Sequence, residues 1–167
     1  MARAKTSGIN WPRLLAAVLT CQAVGNIGTI FTFPALSGWY ASLNKPFINP
    51  PNWLFGPVWF ILYTFLGISL YLIWNNSSFA RGPERSRALR TFAIQLALNP
   101  VWSFLFFGLR SPIYGFIGIV LLWVAILAVI VESHKVSKPA AIVLLPYLCW
   151  VSFAAVLNFS LLLLNAH

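Results

Sequence analysis

The sequence predicts an all-α integral membrane protein, a bundle of five transmembrane helices that forms a single domain over residues 1–167. Hydrophobic residues make up 60% of the chain and charged residues only 8%, whereas a typical soluble domain has roughly 25% charged residues. The apolar residues also fall into five continuous segments, each of about the 20 residues that a helix needs to cross a bilayer. The first predicted partner is therefore the lipid bilayer.

Proline and polar residues separate these segments. Their approximate bounds are 12–33, 53–74, 88–109, 112–133 and 139–165, and a Pro-rich loop at 34–52 follows the first segment. The N-terminal segment resembles a signal peptide, because basic residues precede a Leu-rich run. The run continues to Phe33, however, and so predicts an uncleaved first helix.

Basic residues are distributed unequally over the predicted loops. If successive segments cross in alternating directions, one side receives Lys45 and Arg110, and the other receives Arg3, Lys5, Arg13, Arg81, Arg85, Arg87, Arg90, Lys135 and Lys138. For a bacterial inner membrane, the positive-inside rule then places the N-terminus in the cytoplasm and the loop at 34–52 outside. The net charge of +9 comes from these short caps, so nucleic acid is not a predicted partner.

Catalytic and metal-binding motifs do not stand out in this sequence. It contains no Asp, only two acidic residues, Glu84 and Glu132, and neither a phosphate-binding Gly-rich loop nor a metalloprotease motif. Cys21 and Cys149 lie within apolar segments and have no metal-ligand or redox spacing. We therefore predict no metal site and no required cofactor, and these motifs predict no enzyme.

The stretch from Trp39 to Tyr63, WYASLNKPFINPPNWLFGPVWFILY, joins a Pro-rich loop to an aromatic helix. Three prolines between positions 46 and 51 favour extended backbone, so the loop is predicted to be a stiff non-helical cover over one end of the bundle. Phe55, Trp59 and Tyr63 recur every four residues and share one face of the following helix. This face is predicted to line a pocket beneath the loop.

Side chains of the other segments complete the predicted pocket. Asn99 and Asn158 are informative, because a carboxamide in hydrocarbon costs free energy unless it hydrogen-bonds to a helix, a ligand or water. The alternative is that the asparagines join helices while the aromatic residues form interface belts and ordinary packing. Lys45 could meet a ligand carboxylate or stay solvated. The predicted lining is Trp39, Trp53, Phe55, Trp59, Tyr63, Asn99, Trp102, Phe106, Tyr147, Trp150, Ala154 and Asn158.

Three motifs resemble the translocator protein family, also called tryptophan-rich sensory proteins or the peripheral-type benzodiazepine receptor family. They are W-Y-x-x-L-x-K-P followed by P-P and P-V-W-x-x-L-Y, then N-P-V-W from Asn99, then P-Y-L-C-W from Pro146 with A-A-V-L-N ending at Asn158. The resemblance covers nearly the whole chain. It implies a membrane protein that binds porphyrins, sterols or synthetic isoquinoline or benzodiazepine compounds. Its implied role is the sensing, sequestration or transport of tetrapyrroles in stress regulation, and it implies a homodimer.

The resemblance leaves two alternative functions open. Some bacterial relatives are associated with light- and oxygen-dependent porphyrin degradation, for which Trp59 and Trp150 are the matching catalytic candidates. A scaffold or small-solute transporter whose aromatic residues only pack is the other alternative.

The chain departs from the family pattern at three places. Ala41 stands where many relatives have an acid, and Phe47 stands where many bacterial members have Trp. No Tyr or basic residue follows the fifth segment, so a sterol is less expected than protoporphyrin IX or a haem-like porphyrin. A bacterial or archaeal cell membrane is favoured over a bacterial outer or mitochondrial outer membrane.

Overall fold

The structure, a computed structural model, describes residues 8–76 and 82–165. Within these ranges, five helices are long and apolar enough to cross a membrane, which confirms the predicted all-α membrane fold. A π-helical turn, Phe104–Gly108, ends the third span, Pro83–Gly108, and two consecutive helices together form the fifth span, Lys138–Leu164. The helices are α1 (Trp11–Leu36), α2 (Trp39–Ser42), α3 (Asn52–Trp74), α4 (Pro83–Ser103), α5 (Pro112–Val136), α6 (Lys138–Ile142) and α7 (Leu145–Leu164).

Two helix boundaries differ from the predicted ones. The third span begins at Pro83 instead of residue 88, because Gly82 is extended and proline suits the first turn of a helix. At the other end of the bundle, α1 continues through Pro34 to Leu36. The connecting loop therefore covers 37–51 instead of 34–52, and the prediction that it is non-helical is wrong at α2, Trp39–Ser42.

The helices form a ring in the order α1, α3, α7, α5, α4. α1 packs against α3 and α4, α5 packs against α4 and α7, and α6 contacts α3. Close approach depends on glycine, since a Cβ added at Gly67 on α3 would overlap the backbone of Val18 on α1. The contact between α3 and α7 is sparse by comparison.

Charged residues gather at the end of the bundle opposite the loop. The Glu132 carboxylate lies 2.5 Å from Lys135 Nζ and 3.6 Å from Arg87 Nε, and Arg13 Nη1 donates to Asn75 Oδ1 over 3.1 Å. The helix ends place Lys45 and Arg110 at the other end, as predicted. Arg3, Lys5 and Arg81 lie outside the described residues. The side of the membrane that this basic end faces stays a prediction.

Candidate functional site

A cavity of about 550 Å³ lies between α1, α3 and α4 near the loop end of the bundle. It extends along α1 from Leu19 to Leu36 and along α3 from Asn52 to Tyr63. Phe33, Trp53 and Phe60 on its rim are 67%, 70% and 65% exposed. The cavity therefore opens sideways, between α1 and α3, on a surface that would face lipid.

Aromatic rings form its inner wall. Phe55, Trp59 and Tyr63 of α3 all line it, so their predicted common face is confirmed. Trp59 is central, because its ring lies 5.8 Å from the ring of Tyr63 and 6.1 Å from that of Trp102 on α4. On the opposite wall a Cβ added at Gly25 would lie 2.5 Å from Tyr63. Glycine at this position gives the Tyr63 ring the room that it needs.

A polar stripe on α1 forms the outer wall of the cavity. Its members follow helical spacing: Gln22, Asn26, Thr29 and Thr32. Three of them donate hydrogen bonds within α1, Asn26 to the Gln22 carbonyl, Thr29 to Asn26 and Thr32 to Gly28, over 2.6 to 3.1 Å. Their side-chain oxygens can still accept hydrogen bonds. The stripe therefore offers mainly acceptors to a ligand.

This stripe was not among the predicted site residues. Gln22, Asn26, Thr29 and Thr32 recur every three or four residues within an apolar segment, and that spacing was the available signal. No Lys or Arg is among the side chains that line the cavity in the described ranges. The cavity thus combines aromatic rings and neutral polar groups.

Asn99 belongs both to the cavity wall and to a buried network behind it. The hydroxyl oxygen of Tyr147 on α7 accepts hydrogen bonds from Gln95 Nε2 and from Asn99 Nδ2, each over 2.7 Å. Tyr147 and Gln95 are 0% and 1% exposed. Asn99 thus joins α4 to α7, as the alternative interpretation of a helix-joining asparagine predicted, and it also lines the cavity.

A second, small cavity of about 30 Å³ lies deeper, toward α7 and the loop. Phe106, Ala154 and Asn158 line it, together with Tyr40 of the loop. The residues that line both cavities are Phe55, Trp102 and Phe107, so a layer of rings separates the two spaces.

The predicted lining is therefore divided between two adjoining cavities instead of surrounding one space. Trp53, Phe55, Trp59, Tyr63, Asn99 and Trp102 line the large cavity, while Phe106, Ala154 and Asn158 line the small one. Four predicted residues, Trp39, Lys45, Tyr147 and Trp150, line neither.

Each of these four side chains packs against a neighbouring ring or hydrogen-bonds to a neighbouring group. The Trp39 ring lies 5.4 Å from Phe106, and the Trp150 ring lies 5.5 Å from Phe153. Lys45 Nζ donates to the carbonyl oxygen of Ala41 over 3.0 Å, so it serves its own loop. Tyr147 is held by the network behind the wall. Trp59 and Trp150, the candidate catalytic pair, consequently do not share a cavity.

One hydrogen bond within the loop and a pair of hydrogen bonds to the end of α7 hold the loop over the small cavity. Tyr40, 2% exposed, donates its hydroxyl proton to Asn49 Oδ1 over 2.5 Å, and burial raises the pKa of Tyr40 to about 12. At the end of α7, Asn165 Oδ1 accepts from the Asn44 backbone N–H over 2.9 Å, and Asn165 Nδ2 donates to the Asn44 carbonyl over 3.0 Å. This pair of hydrogen bonds, the Asn44–Asn165 clasp, fixes the loop to the bundle.

Known sequences establish the family. The TspO/MBR family model matches residues 17–164. The chain belongs to the TspO/MBR family. It is 46% identical to the Tryptophan-rich protein TspO of Archaeoglobus fulgidus over 95% of this chain and 100% of that protein. It is also 38% identical to the Translocator protein of Ovis aries, covering 89% and 88% of the two chains, and 28% identical to the Tryptophan-rich sensory protein of Cereibacter sphaeroides, covering 94% of each.

The TspO/MBR assignment confirms the resemblance deduced from the three motifs. It also agrees with the five membrane spans, since this is a family of multi-pass membrane proteins. Relatives come from an archaeon, bacteria and mammals, so the family alone does not select the membrane.

Proposed function

We propose that this TspO/MBR protein binds a planar tetrapyrrole-type ligand, such as protoporphyrin IX, in the large cavity. The observation that carries the proposal is the cavity between α1, α3 and α4, with the rings of Trp59 and Trp102 on one wall and neutral polar groups on the other. Its volume of about 550 Å³ falls within the range of roughly 300 to 1,000 Å³ that is usual for small-molecule sites.

The chemistry of the walls suits a large, flat and mostly apolar molecule. Trp59 and Trp102 are inclined to one another by 36° instead of stacking face to face. Stacking of a ligand on such a ring adds about 0.5–1.5 kcal/mol to the binding free energy, beyond the contribution from burying apolar surface area. The α1 stripe then supplies acceptors for polar hydrogens of the ligand.

Access from the bilayer supports a role in ligand sensing, sequestration or transport. The cavity opens between α1 and α3, whereas the loop is held by the Asn44–Asn165 clasp. Relatives named Translocator protein and Tryptophan-rich sensory protein agree with movement or detection of a bound molecule. Binding is better supported than degradation by a Trp59–Trp150 pair, because Trp150 lines neither cavity.

Quenching of tryptophan fluorescence by protoporphyrin IX tests the proposal. We expect saturable binding to the parent protein in detergent, weakened about two- to three-fold in Trp59→Phe and in Trp102→Phe, because the smaller phenyl ring still stacks but loses about half of the roughly 1 kcal/mol of stacking. Trp150→Phe and Trp123→Phe are the matched controls and should bind as the parent does. Trp123 Nε1 donates to Ser152 over 2.8 Å, away from both cavities. Equal affinities in all four variants, or no saturation, would exclude this cavity as the porphyrin site.

A further inference from the structure

Asn158 on α7 carries a donor and an acceptor that no group in the described part of the chain uses. Its side chain is 2% exposed, and neither Nδ2 nor Oδ1 has a hydrogen-bond partner. The great majority of buried polar side-chain atoms in proteins have such a partner. Both ends of this carboxamide can therefore pair with a group from outside the chain.

The unpaired carboxamide lies at the small cavity. Phe106, Ala154 and Leu157 make the rest of its lining apolar, and Trp102, whose Nε1 is also buried without a partner, lines it as well. A Cβ added at Gly115 would lie 2.9 Å from Asn158 Nδ2, so glycine at this place leaves room for the amide. Three unpaired polar atoms thus belong to residues that border one space of about 30 Å³.

Only one layer of rings separates this space from the large cavity. Phe55, Trp102 and Phe107 line both. Phe107 lies in the π-helical turn Phe104–Gly108, and such turns are frequent at functional sites. A substituent on a ligand in the large cavity would therefore reach Asn158 when one ring of this layer turns aside.

We propose that the small cavity is a subsite for an uncharged substituent that carries both a hydrogen-bond donor and an acceptor. A carboxamide, a lactam or a protonated carboxylic acid has this pattern, which complements the paired Nδ2 and Oδ1 of Asn158. An ionised carboxylate does not have this pattern, because it has no hydrogen-bond donor for Asn158 Oδ1 and would place a negative charge beside that oxygen. In the described ranges no Lys or Arg lines either cavity to compensate that charge. The proposal rests on the proposed function, since the body of the ligand occupies the large cavity.

A matched pair of porphyrins tests the subsite. Mesoporphyrin IX diamide offers a donor and an acceptor on each side chain, whereas the dimethyl ester has the same reach but no donor. We expect the parent to bind the diamide about ten-fold more tightly than the ester, because a polar site rejects an analogue that leaves it unpaired. Asn158→Leu, which keeps a similar volume, should bind both porphyrins equally. Asn26→Leu on the wall of the large cavity is the control and should retain the ten-fold preference.

Asn158→Ala provides a second variant in case leucine disturbs folding, and it should lose the preference in the same way. If the parent binds both porphyrins with equal affinity, or if the preference survives in Asn158→Leu and Asn158→Ala, the subsite is refuted. A single enclosed water as the partner of Asn158 would give that result. If neither porphyrin binds the parent saturably, the proposed function itself fails, and the subsite fails with it.

Discussion

Replacing Tyr147 by Phe would test the buried polar network that joins α4 to α7. The substitution keeps the ring and removes the hydroxyl oxygen, which accepts from Gln95 Nε2 and Asn99 Nδ2 over 2.7 Å each. Gln95 Nε2 would then lose its partner at a side chain that is only 1% exposed, whereas Asn99 Nδ2 would keep its 3.4 Å hydrogen bond to the Gln95 carbonyl. We therefore expect a clear loss of stability.

The loss can be estimated from the two hydrogen bonds. A hydrogen bond between helices in a membrane protein contributes about 0.6 kcal/mol on average and about 1.7 kcal/mol at most. Leaving a buried donor unpaired raises the cost to roughly 1–3 kcal/mol. The unpaired Gln95 donor and the hydrogen bond lost by Asn99 together give about 2–5 kcal/mol, which at about 2–4 °C per kcal/mol corresponds to a fall in melting temperature of about 4–20 °C for a chain of this size.

Tyr71→Phe is the matched control. The hydroxyl of Tyr71 also accepts two hydrogen bonds, from the Asn10 backbone N–H over 3.0 Å and from Asn75 Nδ2 over 3.2 Å. These donors lie part-buried at the basic end of the bundle, where water can replace the hydroxyl. Thermal melting in one detergent should show a shift of less than about 3 °C for Tyr71→Phe. Equal shifts for the two variants would refute the assignment of a dry, stabilising network to Tyr147.

Two further substitutions test helix packing and the loop. Gly67→Ala should lower the melting temperature, because its Cβ would overlap the Val18 backbone. Ala93→Leu, on an exposed part of α4, is the control and should not lower it; equal melting temperatures for the two variants would contradict this packing. Asn165→Leu removes the clasp on Asn44, and amide hydrogen exchange in the loop at 37–51 should become about five- to ten-fold faster. Unchanged exchange would show that the clasp does not hold the loop.

The fold could be predicted from the sequence because hydrocarbon imposes simple requirements. A span needs about 20 apolar residues, and the five segments meet that condition plainly. Helix ends were less predictable, since hydropathy does not register a cap. The extended Gly82 and the following Pro83 start α4 in a polar stretch that hydropathy assigns to a loop.

Only part of the candidate site could be predicted in this way. The spacing of Phe55, Trp59 and Tyr63 fixes a common face on one helix, so these residues do line one wall. Spacing does not fix how neighbouring helices rotate or where they separate. The sequence pattern consequently assigns Tyr147 and Trp150 to the same pocket. In the structure Tyr147 joins the network with Asn99, whereas Trp150 packs against Phe153.

Filling the large cavity from Gly56 is the most direct test of ligand binding there. Gly56 lines the cavity, and apart from its chain neighbours a Cβ at this position meets nothing within 4 Å, so the side chain of Gly56→Leu should occupy ligand space. Ala93→Leu, on an exposed part of α4 outside both cavities, is the control. We expect protoporphyrin IX to bind the parent and Ala93→Leu equally and Gly56→Leu at least ten-fold more weakly, a loss of about 1.4 kcal/mol. Equal binding by all three proteins would place the porphyrin elsewhere and contradict the proposed function.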